Sequence, residues 1–215
     1  METEIIEHNP ILIEYIRISN TIPTFFDDFL KTFYSRRYYF SSSKTAVESG
    51  EWPYVMSIME QNTFLLKRLD KLGLLKSEVS ICDAGIGLGS ALFDLYLQSK
   101  EMTDKKFIFS GIEKCQKYID FFNEKLSRFW NGDLNYIVGD IMEQDYSEYD
   151  IIYTYSPFFS QKDLLIYYTK LKDDIKPGSL IIENRERGLG LNSILTMVGD
   201  LERISIDDIY IFKKL

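Results

Sequence analysis

The stretch best suited to chemistry is a glycine-rich loop, Asp83–Gly89, with the sequence D-A-G-I-G-L-G. It follows a short apolar run and precedes a segment with helical periodicity. Glycine permits a sharp backbone turn and lets a ligand approach without a Cβ in the way. In open α/β sheets, ligands bind beyond the carboxyl ends of the strands. Glycines at this spacing also occur in plain tight turns, but the strand–loop–helix context favours a ligand-binding loop.

The loop departs from the pattern expected for a dinucleotide. Ser90 stands where a dinucleotide fingerprint would have its third glycine. An acid for the ribose is expected about 20 residues further on, whereas Glu113 lies beyond that distance. The acid that precedes the glycines, Asp83, is the more informative feature. These residues argue against a nicotinamide-dependent dehydrogenase, which stays an alternative.

Elements that could position this loop follow from apolar runs and their periods. Runs separated by helical segments predict parallel β-α-β units in an α/β doubly wound sheet. Only Asp207-Asp208 separates the last two runs, so these strands should pair antiparallel. The predicted strands are Val79–Cys82, Phe107–Ile112, Leu134–Val138, Asp150–Tyr155, Leu180–Glu183, Leu201–Ile206 and Ile209–Lys213.

Between the strands, apolar spacing of three and four residues predicts helices. One follows the glycine loop, one spans about Asp163 to Leu171, and Pro53 opens a long helix that ends near Gly73. We therefore expect a helical N-terminal extension at residues 1–77 and a ligand-binding domain at residues 78–215. A further helix should present one apolar stripe formed by Ile119, Phe122, Leu126 and Phe129.

Composition limits the classes of function. The chain has 215 residues and a net charge of −8, with one histidine and two cysteines. We therefore expect no metal centre and no nucleic-acid partner, although the basic aromatic stretch Arg36–Phe40 leaves a local contact open. No apolar run is long enough to span a membrane. The separated cysteines suggest reduced thiols, with Cys82 buried, and a cytoplasmic location.

Taken together, several motifs resemble those of the class I, Rossmann-like S-adenosylmethionine-dependent methyltransferases. The resemblance covers Ser80–Leu215 and rests on the Asp83–Gly89 loop, on Gly111-Ile112-Glu113, on Gly139-Asp140 and on the Pro177-Gly178 turn. It implies a seven-stranded, mostly parallel sheet of order 3-2-1-4-5-7-6, whose last strand pair is antiparallel. It also implies that the chain uses S-adenosyl-L-methionine to methylate an acceptor.

The resemblance further implies a role for each matching residue. Asp83 would help to hold the cationic amino end of the methionine moiety. Glu113 would accept hydrogen bonds from the ribose hydroxyls, and Asp140 would accept one from the adenine amino group. The implied cofactor-binding residues are Asp83, Gly85, Gly87, Glu113, Asp140 and Ile141.

The end of the fourth strand should face the methyl acceptor. Ser156-Pro157-Phe158-Phe159 resembles a degraded amino-methyltransferase motif, in which Phe158 replaces a second proline. It favours a nitrogen acceptor on a protein or a small molecule, while a strand simply ended by proline is the alternative. Tyr155 and Ser156 are the candidate catalytic residues, in the sense that they would position the acceptor.

A fainter resemblance links the chain to non-SET histone lysine methyltransferases. It rests on the glycine loop, on Gly111-Ile112-Glu113-Lys114 and on the helical N-terminal part. The asparagine-rich motif of that family is absent from Tyr153–Phe158. A protein that binds S-adenosylmethionine or a nucleotide without catalysis remains a second alternative, because the binding motifs are clearer than the acceptor motif.

Overall fold

The structure, a computed structural model, describes residues 65–87, 89–130, 134–154, 161–183, 198–206 and 209–215. Within these ranges, a helix precedes each of the first three strands and the fifth, and a stretch without a helix joins the third strand to the fourth. The strands are β1 Glu78–Ala84, β2 Lys106–Glu113, β3 Leu134–Val138, β4 Ile151–Thr154, β5 Leu180–Glu183, β6 Leu201–Ile206 and β7 Ile209–Lys214. The α-helices are α1 Leu65–Lys71, α2 Ser90–Ser99, α3 Gln116–Phe121 and α4 Gln161–Asp174.

All seven strands form one sheet of order β3-β2-β1-β4-β5-β7-β6. The first five pair in parallel, and β7 is antiparallel to both β5 and β6. The predicted fold class and strand order are confirmed. The chain's order reverses between β1 and β4, and in open α/β sheets this is the point where ligands bind.

Two apolar layers cover the faces of the sheet. Successive side chains of β1 point to opposite faces of the sheet, so Ile81 lies in one layer and Cys82 lies in the other. The first layer contains α1 and α2, and the second contains α4, whose Tyr167 and Tyr168 are fully buried. As predicted, Cys82 is a buried thiol outside any disulfide. No helix in the ranges described is both long enough and apolar enough to cross a membrane.

Helix α1 packs onto the sheet rather than apart from it. Its three leucines are fully buried in the first layer, and the Leu66 amide donates a hydrogen bond of 3.0 Å to Gln98 Oε1 on α2. The helix ends at Lys71, close to the predicted end at Gly73. The remainder of the predicted extension lies outside the described residues, so the division at residues 77 and 78 stays a prediction.

The predicted regular helix with an apolar stripe is wrong beyond Phe121. The α-helix ends there and continues as a π-helical turn, Phe122–Leu126, and a 3₁₀ turn, Ser127–Trp130. Trp130 is buried against Phe93, with ring centroids 5.4 Å apart. Trp130, which was not part of the predicted stripe, lies in the first apolar layer where this segment ends.

A close approach between the glycine loop and β2 sets the height of the loop above the sheet. Ile86, in the loop, is buried over Gly111 on β2. A Cβ on Gly111 would lie 2.2 Å from Ile86 Cδ1 and 3.0 Å from Ile86 Cβ. Glycine is therefore required at position 111, because any side chain there would displace the loop.

We predict that Gly111→Ala lowers the free energy of unfolding by about 1–3 kcal/mol through overpacking. Ile86→Ala should remove most of that additional cost, since it deletes the atom that the new methyl group meets. Urea unfolding of both single variants and the double variant measures the coupling between the two positions. Additive effects of the two substitutions would show that Ile86 does not hold the loop against Gly111.

Candidate functional site

The glycine loop is fastened to the end of β2 by its backbone. The amides of Gly85 and Ile86 both donate to the carbonyl oxygen of Ile112, at 3.0 and 2.9 Å. Gly87 has φ 53°, and Gly89, which begins α2, has φ 80° and ψ 17°. These left-handed conformations strain other residues, so the glycines allow the chain to turn from β1 into α2. A Cβ on Gly85 would meet no atom of the described residues within 4 Å, which is consistent with a ligand approaching the loop at this point.

The Glu113 carboxylate, at the end of β2, holds three backbone amides. Its Oε2 accepts from the Gly87 amide at 3.0 Å, and its Oε1 accepts from the amides of Lys114 and Cys115 at 2.9 and 2.7 Å. The side chain is 9% exposed. Burial raises the pKa of Glu113 above its ordinary value, although these amide hydrogen bonds act in the opposite direction.

The number of acceptor positions on Glu113 limits what else it can bind. A carboxylate offers about four lone-pair positions. Three are used by Gly87, Lys114 and Cys115, which leaves one on Oε2. The carboxylate can therefore accept one further hydrogen bond without releasing the glycine loop. A second donor would have to bond to another residue.

Asp83, at the carboxyl-terminal end of β1, is a second buried acid beside Glu113. It is 4% exposed. Loss of hydration and then repulsion from Glu113 raise the pKa of Asp83 to about 8. A cationic group placed next to Asp83 would favour the carboxylate and be attracted by it. The end of β1 is thus suited to a positively charged part of a ligand.

Asp140, after β3, completes this edge of the sheet. Its Oδ1 accepts from the Met142 amide at 2.9 Å, and its Oδ2 lies 2.9 Å from Lys114 Nζ. Burial raises the pKa of Asp140, but the Met142 amide and the Lys114 ammonium outweigh it, so the net pKa lies below the ordinary value. The Gly139 amide donates to the Glu113 carbonyl at 2.9 Å, which ties the two strand ends together.

The structure thus brings most of the candidate cofactor-binding residues to one edge of the sheet. Asp83, Gly87 and Glu113 are in direct contact or electrostatically coupled. Asp140 joins them through Lys114, and Ile141 is half-buried beside it, packed against the second apolar layer. The candidate catalytic residues Tyr155 and Ser156 lie outside the described residues.

Two positioning contacts were missed by sequence reasoning. The sequence marks Lys114 only as part of a motif. Its ion pair with Asp140 could be inferred, because the two residues follow the ends of adjacent strands. The contact between Ile86 and Gly111 has no separate sequence signal, because each residue is ordinary at its own position. Among the residues that the structure describes, no group of three or more His, Cys, Asp or Glu residues could hold a metal ion.

No protein-family model matches the sequence, and no curated protein is significantly similar to it. Solved structures do match. A proposed class I S-adenosylmethionine-dependent methyltransferase from Listeria monocytogenes aligns with a TM-score of 0.59 and 13% identity, over 74% of this chain and 60% of that one. A proposed S-adenosylmethionine-dependent methyltransferase from Methanococcus maripaludis aligns with a TM-score of 0.52 and 13% identity, over 69% of this chain and 82% of that one.

A proposed RNA methyltransferase from Pyrococcus horikoshii is also similar, with a TM-score of 0.52 and 18% identity. This alignment covers 73% of the present chain and 85% of the other. The chain has the class I methyltransferase fold. At identities of 12–18%, this likeness concerns the fold of the methyltransferase-like sheet and its helices and carries no residue roles.

We predict that Glu113→Ala lowers the free energy of unfolding by about 1–3 kcal/mol, because buried amides lose their acceptor. Glu113→Gln, which keeps one oxygen, should cost less. Urea unfolding without ligand measures both, with Glu143→Ala as the control, since Glu143 is exposed on the loop that follows β3. Equal stability of Glu113→Ala and Glu143→Ala would mean that the carboxylate does not hold the glycine loop.

Proposed function

We propose that this protein is an S-adenosylmethionine-dependent methyltransferase. The observation that carries the proposal is the Glu113 carboxylate, which accepts a hydrogen bond from Gly87 while the buried Asp83 lies beside it. A glycine loop and two acids at the carboxyl ends of adjacent strands form a site for a ligand with a polar sugar and a cationic group. The methyltransferase-like fold supports the same conclusion.

The residues present fit this cofactor. The Asp83 carboxyl is buried and has a pKa of about 8. A cationic amino group beside it would stabilise its charged form. Glu113 has one acceptor position left for a ribose hydroxyl. Gly85 leaves open space above the loop. We assign Asp140 and Ile141 to the adenine, as an acceptor and an apolar neighbour.

When bound, the cofactor supplies a methyl group on a sulfonium, which is the electrophile of the reaction. The protein's part is then to hold cofactor and acceptor in line and to exclude water. A general base is not required when the acceptor is an unprotonated amine or a thiolate. We propose Tyr155 and Ser156, directly after β4, as the residues that position the acceptor. Cys82, a buried thiol outside any disulfide, supports a cytoplasmic location for the reaction.

Two other functions would use the same loop. A nicotinamide-dependent dehydrogenase is disfavoured because a carboxylate, Asp83, precedes the glycines and Ser90 replaces the third glycine. A protein that binds S-adenosylmethionine or a nucleotide without catalysis would share the site but have no methyl acceptor. The acceptor experiment below separates this second function from the proposal.

S-adenosylhomocysteine should bind the protein and raise its melting temperature, because a ligand of the native state stabilises it. Glu113→Gln should weaken that binding by about tenfold or more, since charge-assisted hydrogen bonds contribute roughly 1.5–3 kcal/mol. Calorimetric titration of the wild type and the variant measures both affinities, and NAD serves as the comparison ligand. Stabilisation by NAD without stabilisation by S-adenosylhomocysteine would contradict the proposed function.

For the acceptor, we propose a nitrogen on a protein or a small molecule rather than on a nucleic acid. The net charge of −8 and the partial motif Ser156–Phe159 support this choice. A net negative surface attracts basic proteins, and this attraction should weaken as salt rises.

Radiolabelled S-adenosylmethionine offered to cell lysate should label a product that is sensitive to protease or that is small enough to dialyse. The lysate is treated in parallel with protease and with nuclease. Label that is lost on nuclease treatment would overturn the acceptor proposal. Absence of any transfer, despite tight binding of the cofactor, would favour the non-catalytic alternative.

A further inference from the structure

One buried hydroxyl on β3 has no hydrogen-bond partner within the part of the chain that the structure describes. Among the described residues, three buried side-chain polar atoms lack a hydrogen-bond partner, namely Asp94 Oδ2, Trp130 Nε1 and the Tyr136 hydroxyl. Leaving a buried donor without a partner is costly, and native proteins do so rarely. Asp94 and Trp130 belong to α2 and to the aromatic layer beside it. Tyr136 is the one that adjoins Glu113.

The sheet places Tyr136 in the same row as Asp83. Tyr136 on β3 pairs with Gly111 on β2, and Gly111 pairs with Asp83 on β1. Gly111 contributes no side chain between Tyr136 and Asp83, and Ile86 of the glycine loop packs over Gly111. The ring itself is held by Phe122, with centroids 4.5 Å apart.

The charges around Tyr136 make its hydroxyl a neutral donor. Burial and then the negative charges of Glu113 and Asp83 raise the pKa of Tyr136 above its ordinary value. These two acids are close enough to act on the phenol, yet neither accepts a hydrogen bond from it. The hydroxyl therefore keeps its proton, and no described residue accepts it.

The position of Tyr136 on the strand next to Glu113 gives this donor a use. Glu113 can take one more donor while it holds Gly87, Lys114 and Cys115. A ribose hydroxyl that donates to Glu113 keeps lone pairs, so it can also accept a hydrogen bond from a further donor. Tyr136 offers an unused phenol on the same side of the sheet as Glu113.

We propose that Tyr136 is a further ligand-binding residue, whose hydroxyl donates a hydrogen bond to a ribose hydroxyl of the bound cofactor beside Glu113. This inference rests on the proposed function, since it takes the ligand to carry the ribose of S-adenosylmethionine. It gives one ribose hydroxyl an acceptor in Glu113 and a donor in Tyr136. The contact fixes the sugar from the β3 side, which the glycine loop does not reach.

The test is Tyr136→Phe, which removes the hydroxyl and keeps the ring on Phe122. Calorimetric titration with S-adenosylhomocysteine should show affinity reduced by about threefold to tenfold, the effect of one neutral hydrogen bond. Without ligand, the melting temperature should be unchanged or higher, because the substitution deletes a buried polar group that has no partner. A structural hydroxyl would give the opposite change in the unliganded protein.

The matched control is Tyr167→Phe, on the opposite face of the sheet. Its hydroxyl bonds to Thr154 at 3.4 Å, so this variant should lose stability without ligand and keep its affinity for S-adenosylhomocysteine. An analogue of S-adenosylhomocysteine that lacks both ribose hydroxyls is the second probe. Tyr136→Phe and the wild type should bind this analogue equally well.

Each other outcome identifies which claim fails. If the wild type binds S-adenosylhomocysteine and Tyr136→Phe binds it equally, the assignment of Tyr136 is wrong and the proposed function stands. Lower stability of unliganded Tyr136→Phe would also overturn the assignment, since the hydroxyl would then have a structural partner such as an ordered water. Failure of the wild type to bind would overturn the proposed function, and the Tyr136 assignment with it.

Discussion

The hydrogen bond from the Gly87 amide to Glu113 is the interaction on which the site depends. It joins the middle of the glycine loop to the end of β2, across a separation of 26 residues in the chain. The same carboxylate holds the amides of Lys114 and Cys115, so one side chain sets the path of the chain after both β1 and β2. Without it, the loop would keep its attachment to Ile112 but lose its outer anchor.

The site also places two acidic side chains close together where water is largely excluded. Asp83 and Glu113 are both buried, and repulsion between them contributes to the raised pKa of Asp83. Such an arrangement costs stability in the unliganded protein and favours a ligand with a cationic group. Asp140 differs, because the Lys114 ammonium and the Met142 amide stabilise its charge. At this edge of the sheet, Asp83 is thus suited to a cationic group, whereas Lys114 already neutralises the charge of Asp140.

Much of the fold could be predicted from the sequence because strand signals are local. Strands β3, β5 and β6 have the expected bounds, since apolar runs there end at polar or turn residues. The change from α-helix to π-helix at Phe122 has no local signal in the sequence, and the contacts of Trp130 at the end of this segment are with rings from other elements. The acids of the site were found by motif. That Glu113 is already engaged with three amides follows only from three-dimensional structure.

The proposed function requires a cofactor with the chemistry of S-adenosylmethionine to bind at the ends of β1, β2 and β3. Amide nuclear magnetic resonance spectra recorded during titration with S-adenosylhomocysteine test it most directly. The amide signals of Gly87, Lys114 and Gly139, which donate to Glu113, should shift, and so should that of Gly85, which donates to the adjacent Ile112. Saturating S-adenosylhomocysteine that leaves all four signals in place would contradict the claim.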